Sequence, residues 1–185
     1  MASVIAAFEK TDYAKESVVT DSIRLKESEV HDVAFLVSVY ADSRFEEMQQ
    51  IHHWNTAEKD EFLRFQFNAQ DTHYKEHYPN AEYLIIEQAS KAIGRLYIDR
   101  QASDICIMDI AILREHRRQG IAKKLINDVL NEAKQKKLSV NLHVEPDNVA
   151  KKLYLSLGFV VVGEISFYEK MQWCAQKSDG YEWFS

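Results

Sequence analysis

A strand that runs into a helix constrains the fold of this chain more than any other stretch. Ile105 to Ile112 is rich in isoleucine and contains neither proline nor glycine, which is typical of a buried strand. From Ile121 to Ala133, pairs of apolar residues recur at helical spacing, which predicts a helix. The stretch predicts a strand–helix–strand unit within an α/β or α+β fold. The whole pattern predicts one mixed, mostly antiparallel sheet with helices on both faces.

The join between this strand and helix is suited to binding an anion. The first N–H groups of a helix have no partner within it, and that end of the helix is electrically positive. Gly120 permits close approach to the backbone, and Arg117 and Arg118 add charge. We therefore expect phosphate at the backbone of Gln119, Gly120, Ile121, Ala122 and Lys123. The alternative is an ordinary turn with a solvated basic surface.

Two motifs resemble those of the GNAT superfamily of acyl-CoA N-acyltransferases. The stretch Arg117-Arg118-Gln119-Gly120-Ile121-Ala122 looks like its Q/R-x-x-G-x-G/A pyrophosphate motif. Asn148 to Phe159 resembles N-x-x-A-x-x-L-Y-x-x-x-G-F, although its alanine falls one position early. The clear match covers about Ile105 to Phe159, and Arg114 stands where the family often has proline. The resemblance implies the GNAT fold and acetyl-CoA as co-substrate.

The resemblance also implies an activity. An acetyl group would pass from acetyl-CoA to a primary amine, on a small molecule or a protein, by direct attack and without a covalent enzyme intermediate. The alternative is an acyl-CoA-binding sensor or assembly module that has the fold without turnover.

Individual roles follow from the same resemblance. Tyr154 would be the general acid for the departing CoA thiolate, unless it is only a core tyrosine, and Asn148 would contact the pantetheine arm. The apolar positions change from odd numbers at Ile105 and Ile107 to even numbers at Met108, Ile110 and Ile112, which is typical of a β-bulge. In GNAT proteins such a bulge frees amides that face the acyl-CoA arm, here near Ile110 and Ile112. A strand buried on both faces would also explain the pattern.

The acceptor side is expected at two places in the sequence. GNAT proteins line the acceptor site with the connection between their first two helices, which makes Trp54 a substrate candidate. Tyr168 and Glu169, on the last two strands, are the other candidates, with a cleft expected between them and the Trp54 loop.

The strand from Leu138 to Val144 supplies the predicted base. Its apolar residues alternate with Asn141 and His143, and Glu145 follows two positions later. Family relatives often place a glutamate base where His143 stands. A histidine can also accept a proton at neutral pH, so we expect His143, with Glu145 as helper or substitute, to deprotonate the acceptor. The alternative is a polar histidine at a strand end.

Composition limits the class of protein. The chain has 185 residues and a formal net charge of −6, which argues against nucleic-acid binding and suits a cationic acceptor. Two cysteines and no secretory or membrane-spanning segment indicate a cytoplasmic protein. The sequence is compatible with a homodimer. Residues 1–22 are expected to form an arm before one domain at 23–185.

His73 and His77 match the zinc-binding pattern H-x-x-E-H. A catalytic zinc needs a third protein ligand, and the sequence places none near them, so no metal is expected.

The remaining elements are predicted from local pattern. Glu58 to Tyr78 is expected to be a helix capped by Thr56, despite a strand-like alternation at Leu63, Phe65 and Phe67. Asp42 to Thr56 is expected to be a loop, and Ser28 to cap an earlier helix. Further predictions are strands at 82–87 and 92–99, a helix from Asp147 or Asn148 to Gly158, and two final strands hinged near Gly163.

Overall fold

The computed structural model describes residues 23–175. The predicted arm at residues 1–22 lies outside this range. The strands are β1 (Ile23–Glu27), β2 (Glu82–Gln88), β3 (Lys91–Arg100), β4 (Asp104–Ile112), β5 (Ser139–Val144), β6 (Val160–Ile165) and β7 (Tyr168–Cys174). The α-helices are α1 (Val33–Ser43), α2 (Phe45–Gln50), α3 (Thr56–His77), α4 (Ile121–Lys136) and α5 (Lys151–Ser156).

The seven described strands form one sheet in the order β1-β2-β3-β4-β5-β7-β6. The β1–β2, β2–β3, β5–β7 and β6–β7 pairs are antiparallel, and the β4–β5 pair is parallel. The mixed, mostly antiparallel α/β fold is therefore confirmed. The helix α4 connects the two parallel strands, as the strand–helix–strand pattern predicted.

Backbone contacts divide the chain into two compact units. Among the described residues, the first contains residues 23–99 together with Met108–Lys124. Its core joins α1, α2 and α3 to strands β2 and β3. The buried members of this core are Leu36, Tyr40, Met48, Leu63, Phe67, Ile85 and Tyr97.

The helix α3 resolves the conflict between helical and strand-like spacing. Leu63 and Phe67, four residues apart, are buried, whereas the side chain of Phe65 is 71% exposed. Only helical periodicity separates these residues in this way. The N-cap is Asn55, whose side chain accepts from the Glu58 N–H at 3.0 Å while Glu58 accepts from the Asn55 N–H at 2.7 Å. The predicted cap, Thr56, is the first helical residue instead.

Two local predictions in the first unit were wrong. The expected loop at 42–56 contains the helix α2, which buries Met48 in the core. Ser28 does not cap α1, because a short 3₁₀ turn at Val30–Asp32 precedes the helix and Glu29 and Asp32 form its capping box. The Asp32 carboxylate accepts from the Glu29 N–H at 2.9 Å, and this bond, opposed by partial burial, lowers the pKa of Asp32.

The second unit contains Arg100–Ile107 and, of the described residues, 125–175. Its sheet buries Val140, Leu142 and Val144 of β5, as their alternation predicted. The helix α5 begins at Lys151, later than expected, because Asn148 and the residues after it form a turn. Val149, which a helix starting at Asp147 or Asn148 would contain, lies in this turn and is 86% exposed.

Glycines end or interrupt elements of the second unit. Gly158 has φ of +91° immediately after α5, and the next N–H, of Phe159, donates to the Tyr154 carbonyl at 3.1 Å. Gly163 was predicted to be a hinge, but it lies inside β6, where the register with β7 shifts between Val161 and Gly163. The strands instead turn after Ile165, where Ser166 has φ of +57°.

Candidate active site

The join between β4 and α4 has the backbone conformation of an anion site. Arg118 has φ of +59° and Gly120 has φ of +78°, so the chain twice enters the left-handed region before the helix begins at Ile121. The Lys124 N–H donates to the Gly120 carbonyl at 2.9 Å. Because a helix provides no acceptor for its first N–H groups, those of residues 121–123 are available to a ligand. In other proteins, successive amides in turns of this kind form concavities that bind anions.

The two arginines of this join have different surroundings. Arg117 Nε donates to the Ile112 carbonyl at 2.7 Å, and its Nη2 donates to Asp42 Oδ2 at 2.8 Å. Arg118 is exposed on the same turn. The Gln119 side chain donates from Nε2 to the Glu115 carbonyl at 3.3 Å, so it braces the turn from within. Arg117 and Gln119 thereby hold the loop conformation, and Arg118 directs charge toward solvent.

Asp42 is the residue of this site that sequence reasoning missed. Its carboxylate accepts from the Arg114 N–H at 2.9 Å, from Arg114 Nε at 2.8 Å and from Arg117 Nη2 at 2.8 Å. Asp42 lies in the last turn of α1, where a negative charge opposes the helix dipole. An acidic residue at an unfavourable helix end was the signal that could have indicated a distant cationic partner.

The strand β4 leads to this loop through a close backbone contact with β3. A Cβ added at Gly94 would lie 2.3 Å from the Ala111 carbonyl oxygen, and the Leu113 N–H donates to the Ile93 carbonyl at 2.9 Å. Ile110 is half-buried and Ile112 is buried. The buried positions change from odd numbers, at Ile105 and Ile107, to an even number at Ile112, in agreement with the change of apolar phase in the sequence.

His143 lies at an open position of β5 in the second unit. The parallel register of β4 with β5 ends at Ile107 and Leu142, one residue before His143, whose partner on β7 is Lys170. His143 is exposed, while Asn141 is buried and donates from Nδ2 to Asp104. Partial burial, and then the charge of Lys170, lower the pKa of His143. A histidine that is neutral at neutral pH can accept a proton.

Glu145 follows β5 rather than belonging to it. Because the strand ends at Val144, strand alternation does not fix which side Glu145 faces. Its carbonyl accepts from the Asn148 N–H at 3.0 Å and so begins the turn before α5.

Tyr154 lies on α5 with its side chain largely enclosed. It is 8% exposed, and its ring packs edge-to-face against Phe159 at 6.0 Å. Asn148 Oδ1 accepts from the Ala150 N–H at 2.9 Å, which positions the turn before the helix. Replacing Tyr154 with phenylalanine would therefore keep the packing of the ring while removing the hydroxyl.

The acceptor candidates lie in both units. In the second, Glu169 forms an ion pair with Lys151 at 2.5 Å, and Tyr168 is 43% exposed. In the first, the ring of Trp54 packs edge-to-face on Phe62 at 5.1 Å and lines a surface cavity.

The two histidines of the H-x-x-E-H pattern on α3 lie next to each other. The rings of His73 and His77 lie 4.1 Å apart, and His77 Nδ1 lies 2.9 Å from the His73 carbonyl oxygen. Within residues 23–175 there is no group of three or more His, Cys, Asp or Glu side chains that could hold a metal ion. In the same range, no helix has the length and apolar character needed to cross a membrane.

Comparison with known proteins identifies the family. A model described as an acetyltransferase (GNAT) domain matches residues 53–175, more than half of the chain. The chain belongs to the GNAT acetyltransferase family. It is therefore an acyl-CoA-dependent N-acyltransferase with acetyl-CoA as co-substrate. No curated protein sequence matches it.

Several solved structures share the fold of this GNAT protein. The PaiA N-acetyltransferase of Thermoplasma acidophilum, in complex with coenzyme A, is 16% identical with a TM-score of 0.62, covering 83% of this chain and 99% of that one. An acetyltransferase of Thermus thermophilus is 15% identical with a TM-score of 0.62, covering 85% and 99%. The spermidine N-acetyltransferase of Vibrio cholerae, in complex with CoA and spermine, is 21% identical with a TM-score of 0.56, covering 83% and 96%.

Proposed function

We propose that this GNAT protein transfers an acetyl group from acetyl-CoA to a primary amine by direct attack, without a covalent enzyme intermediate. The observation that carries the proposal is the left-handed backbone at Arg118 and Gly120 immediately before α4. This geometry presents helix-start amides to an anion. Coenzyme A carries a pyrophosphate, which these amides fit.

The pyrophosphate is proposed to bind the backbone N–H groups of Gln119, Gly120, Ile121, Ala122 and Lys123. Arg118 adds charge directly, and Arg117 adds charge while it holds the loop to the Ile112 carbonyl. The amides near Ile110 and Ile112 are proposed to face the acyl arm. In the second unit, Asn148 is proposed to contact the pantetheine portion.

Two side chains of the second unit are proposed to move protons. Acetyl-CoA supplies the activated acetyl group as a thioester. His143, with Glu145 as helper or substitute, removes a proton from the acceptor ammonium, so that the amine nitrogen has a lone pair to form the new C–N bond. The lowered pKa of His143 favours its neutral, proton-accepting form. The Tyr154 hydroxyl gives its proton to the thiolate sulfur as the C–S bond breaks. The attacking nitrogen then releases its second proton to solvent, which returns a proton to Tyr154, so that the products are the neutral amide and the CoA thiol.

The acceptor is proposed to be a cationic primary amine. Trp54, Tyr168 and Glu169 are the proposed acceptor-binding residues, and the net charge of −6 favours a cation.

The experiment that tests this function is a turnover assay with acetyl-CoA and a panel of diamines, polyamines, amino acids and peptides, in which release of CoA thiol is measured. Acetylation of an amine with a linear, burst-free time course is expected. Binding of acetyl-CoA without transfer to any amine would instead indicate a non-catalytic binding module.

Direct attack has its own test. Intact-mass spectrometry of the protein incubated with acetyl-CoA alone should show no added acetyl group. A stable acetyl adduct that is discharged when an amine is added would indicate a covalent intermediate and would contradict the mechanism.

A further inference from the structure

A groove on the first turns of α3 combines aromatic rings with carboxylates. It is an open surface groove of about 430 Å³, lined by Trp54, Glu58, Glu61, Phe62 and Phe65. Glu58, Glu61, Phe62 and Phe65 are three or four residues apart along α3, so they lie on one side of the helix. Trp54 precedes the N-cap residue Asn55 and borders the same side. The whole groove belongs to the first unit.

The aromatic part of the groove is partly open to solvent. Trp54 and Phe62 are half-buried and pack edge-to-face at 5.1 Å. Phe65 is 71% exposed one helical turn further on. An exposed phenylalanine beside a tryptophan offers little to the stability of the helix itself. Such rings are well suited to bind alkyl chains and to attract cations through their π-faces.

The charged part of the groove is negative. Glu58 uses Oε2 to accept from the Asn55 N–H, and Glu61 is exposed one turn along the helix. One neighbouring cation, Lys59, is directed elsewhere, because its Nζ donates to the Met48 carbonyl at 2.7 Å. The groove therefore combines two carboxylates with apolar rings, which is complementary to a chain carrying more than one ammonium group.

We propose that this groove binds an aliphatic polyamine, so that the acceptor class of the enzyme is the polyamines. The proposal rests on the proposed amine acetylation and names its substrate class. The ammonium groups of a polyamine pair with Glu58 and Glu61, and its methylene segments lie against Phe62, Phe65 and Trp54. A second copy of the chain fits less well, because an interface here would desolvate two carboxylates with no cation of the groove to compensate them.

The test measures spermidine binding directly by calorimetry, without acetyl-CoA. Glu61→Gln and Phe65→Leu alter exposed side chains and should leave the thermal melting temperature unchanged. Glu58→Gln removes charge but keeps the acceptor that the helix cap needs. Glu76→Gln, an exposed residue further along α3, is the matched control. We expect the combined Glu58→Gln and Glu61→Gln protein to bind spermidine at least tenfold more weakly, and the Glu76→Gln protein to bind like wild type.

The outcomes separate this inference from the proposed function. Absence of spermidine binding by the wild-type protein, or equal affinity in wild type and the double variant, would overturn the polyamine site. So would a concentration-dependent dimer, seen by light scattering, that Phe65→Leu dissociates. Failure of the proposed function would look different, with no amine acetylated although spermidine binds. If both hold, kcat/KM for spermidine should fall in the double variant while kcat/KM for a monoamine acceptor is retained.

Discussion

Arg117 and Asp42 are joined by a hydrogen-bonded ion pair at 2.8 Å across 75 residues of sequence. The same carboxylate also accepts from the backbone and side chain of Arg114. The last turn of α1 therefore holds both ends of the turn that precedes the loop proposed to bind the pyrophosphate. A residue that need not touch acetyl-CoA itself thus fixes the backbone proposed to bind it.

Replacement of Asp42 should weaken acetyl-CoA binding indirectly. Asp42→Ala removes the acceptor of three hydrogen bonds, so the loop from Arg114 to Gly120 loses its anchor. We expect a loss of affinity of about three- to tenfold by calorimetry, with a smaller loss for Asp42→Asn, which keeps an oxygen acceptor. Asp60→Asn, an exposed acid on α3, is the control. Wild-type affinity in Asp42→Ala would show that the loop holds its conformation without the anchor.

Gly120→Asp should weaken acetyl-CoA binding by on the order of tenfold or more, or ~1.4 kcal/mol. The substitution places a side chain and a negative charge beside the proposed pyrophosphate. It also strains a backbone whose φ is +78°. Gly120→Ala introduces the backbone strain without the negative charge. Measuring acetyl-CoA affinity of both variants by calorimetry therefore separates the effect of strain from the effect of charge. A folded Gly120→Asp protein that binds acetyl-CoA like wild type would refute the placement.

Tyr154→Phe should lower turnover while leaving stability nearly unchanged. The phenyl ring can keep its edge-to-face contact with Phe159, while the hydroxyl proposed as proton donor is removed. General acid catalysis typically contributes about a hundredfold or more, so kcat should fall by that order. The measurement is steady-state turnover alongside thermal melting. Turnover equal to that of wild type would assign Tyr154 to packing alone.

The pH dependence of turnover should report His143. Because burial and Lys170 lower the pKa of His143, the rising limb of kcat should lie at lower pH than for an ordinary histidine. Lys170→Gln removes the positive neighbour, so the pKa should rise and the limb should move to higher pH. His143→Ala should lower turnover and remove this limb. His143→Ala and Glu145→Ala should be assayed separately across pH. If both variants keep the wild-type kcat and the wild-type position of the rising limb, another group or bulk water is the base.

Gly94→Ala should destabilise the fold. A Cβ at this position would lie 2.3 Å from the Ala111 carbonyl oxygen, so β3 and β4 would have to separate. Forcing an atom into such a contact costs about 1–3 kcal/mol. Gly163→Ala is the matched control, because its added Cβ would meet nothing within 4 Å. Urea denaturation of both proteins measures the difference, and equal loss in the two would contradict the close-approach explanation.

Local sequence pattern determined the elements whose signals repeat along the chain. The strand–helix–strand order around Gly120, the long helix α3 and the β2–β3 hairpin all follow from periodicity and turn residues. The alternation of Val140, Leu142 and Val144 likewise predicted their burial. These features were predictable because each depends on residues within a few positions of one another, where backbone geometry fixes which side chains share a face.

Tertiary structure decided the features that depend on distant partners. Arg95, in an ordinary strand sequence, has a side chain that is 3% exposed because it pairs with Asp109 and lies 5.0 Å from the Tyr97 ring. Burial alone would lower the pKa of Arg95, but the Asp109 carboxylate raises it above its usual value. The anchoring by Asp42 of the loop before α4 also depends on distant partners, although the side chains of Arg114 and Arg117 are 41% exposed. No local pattern encodes such pairs, because the partners lie far apart in the sequence and meet only when the chain folds.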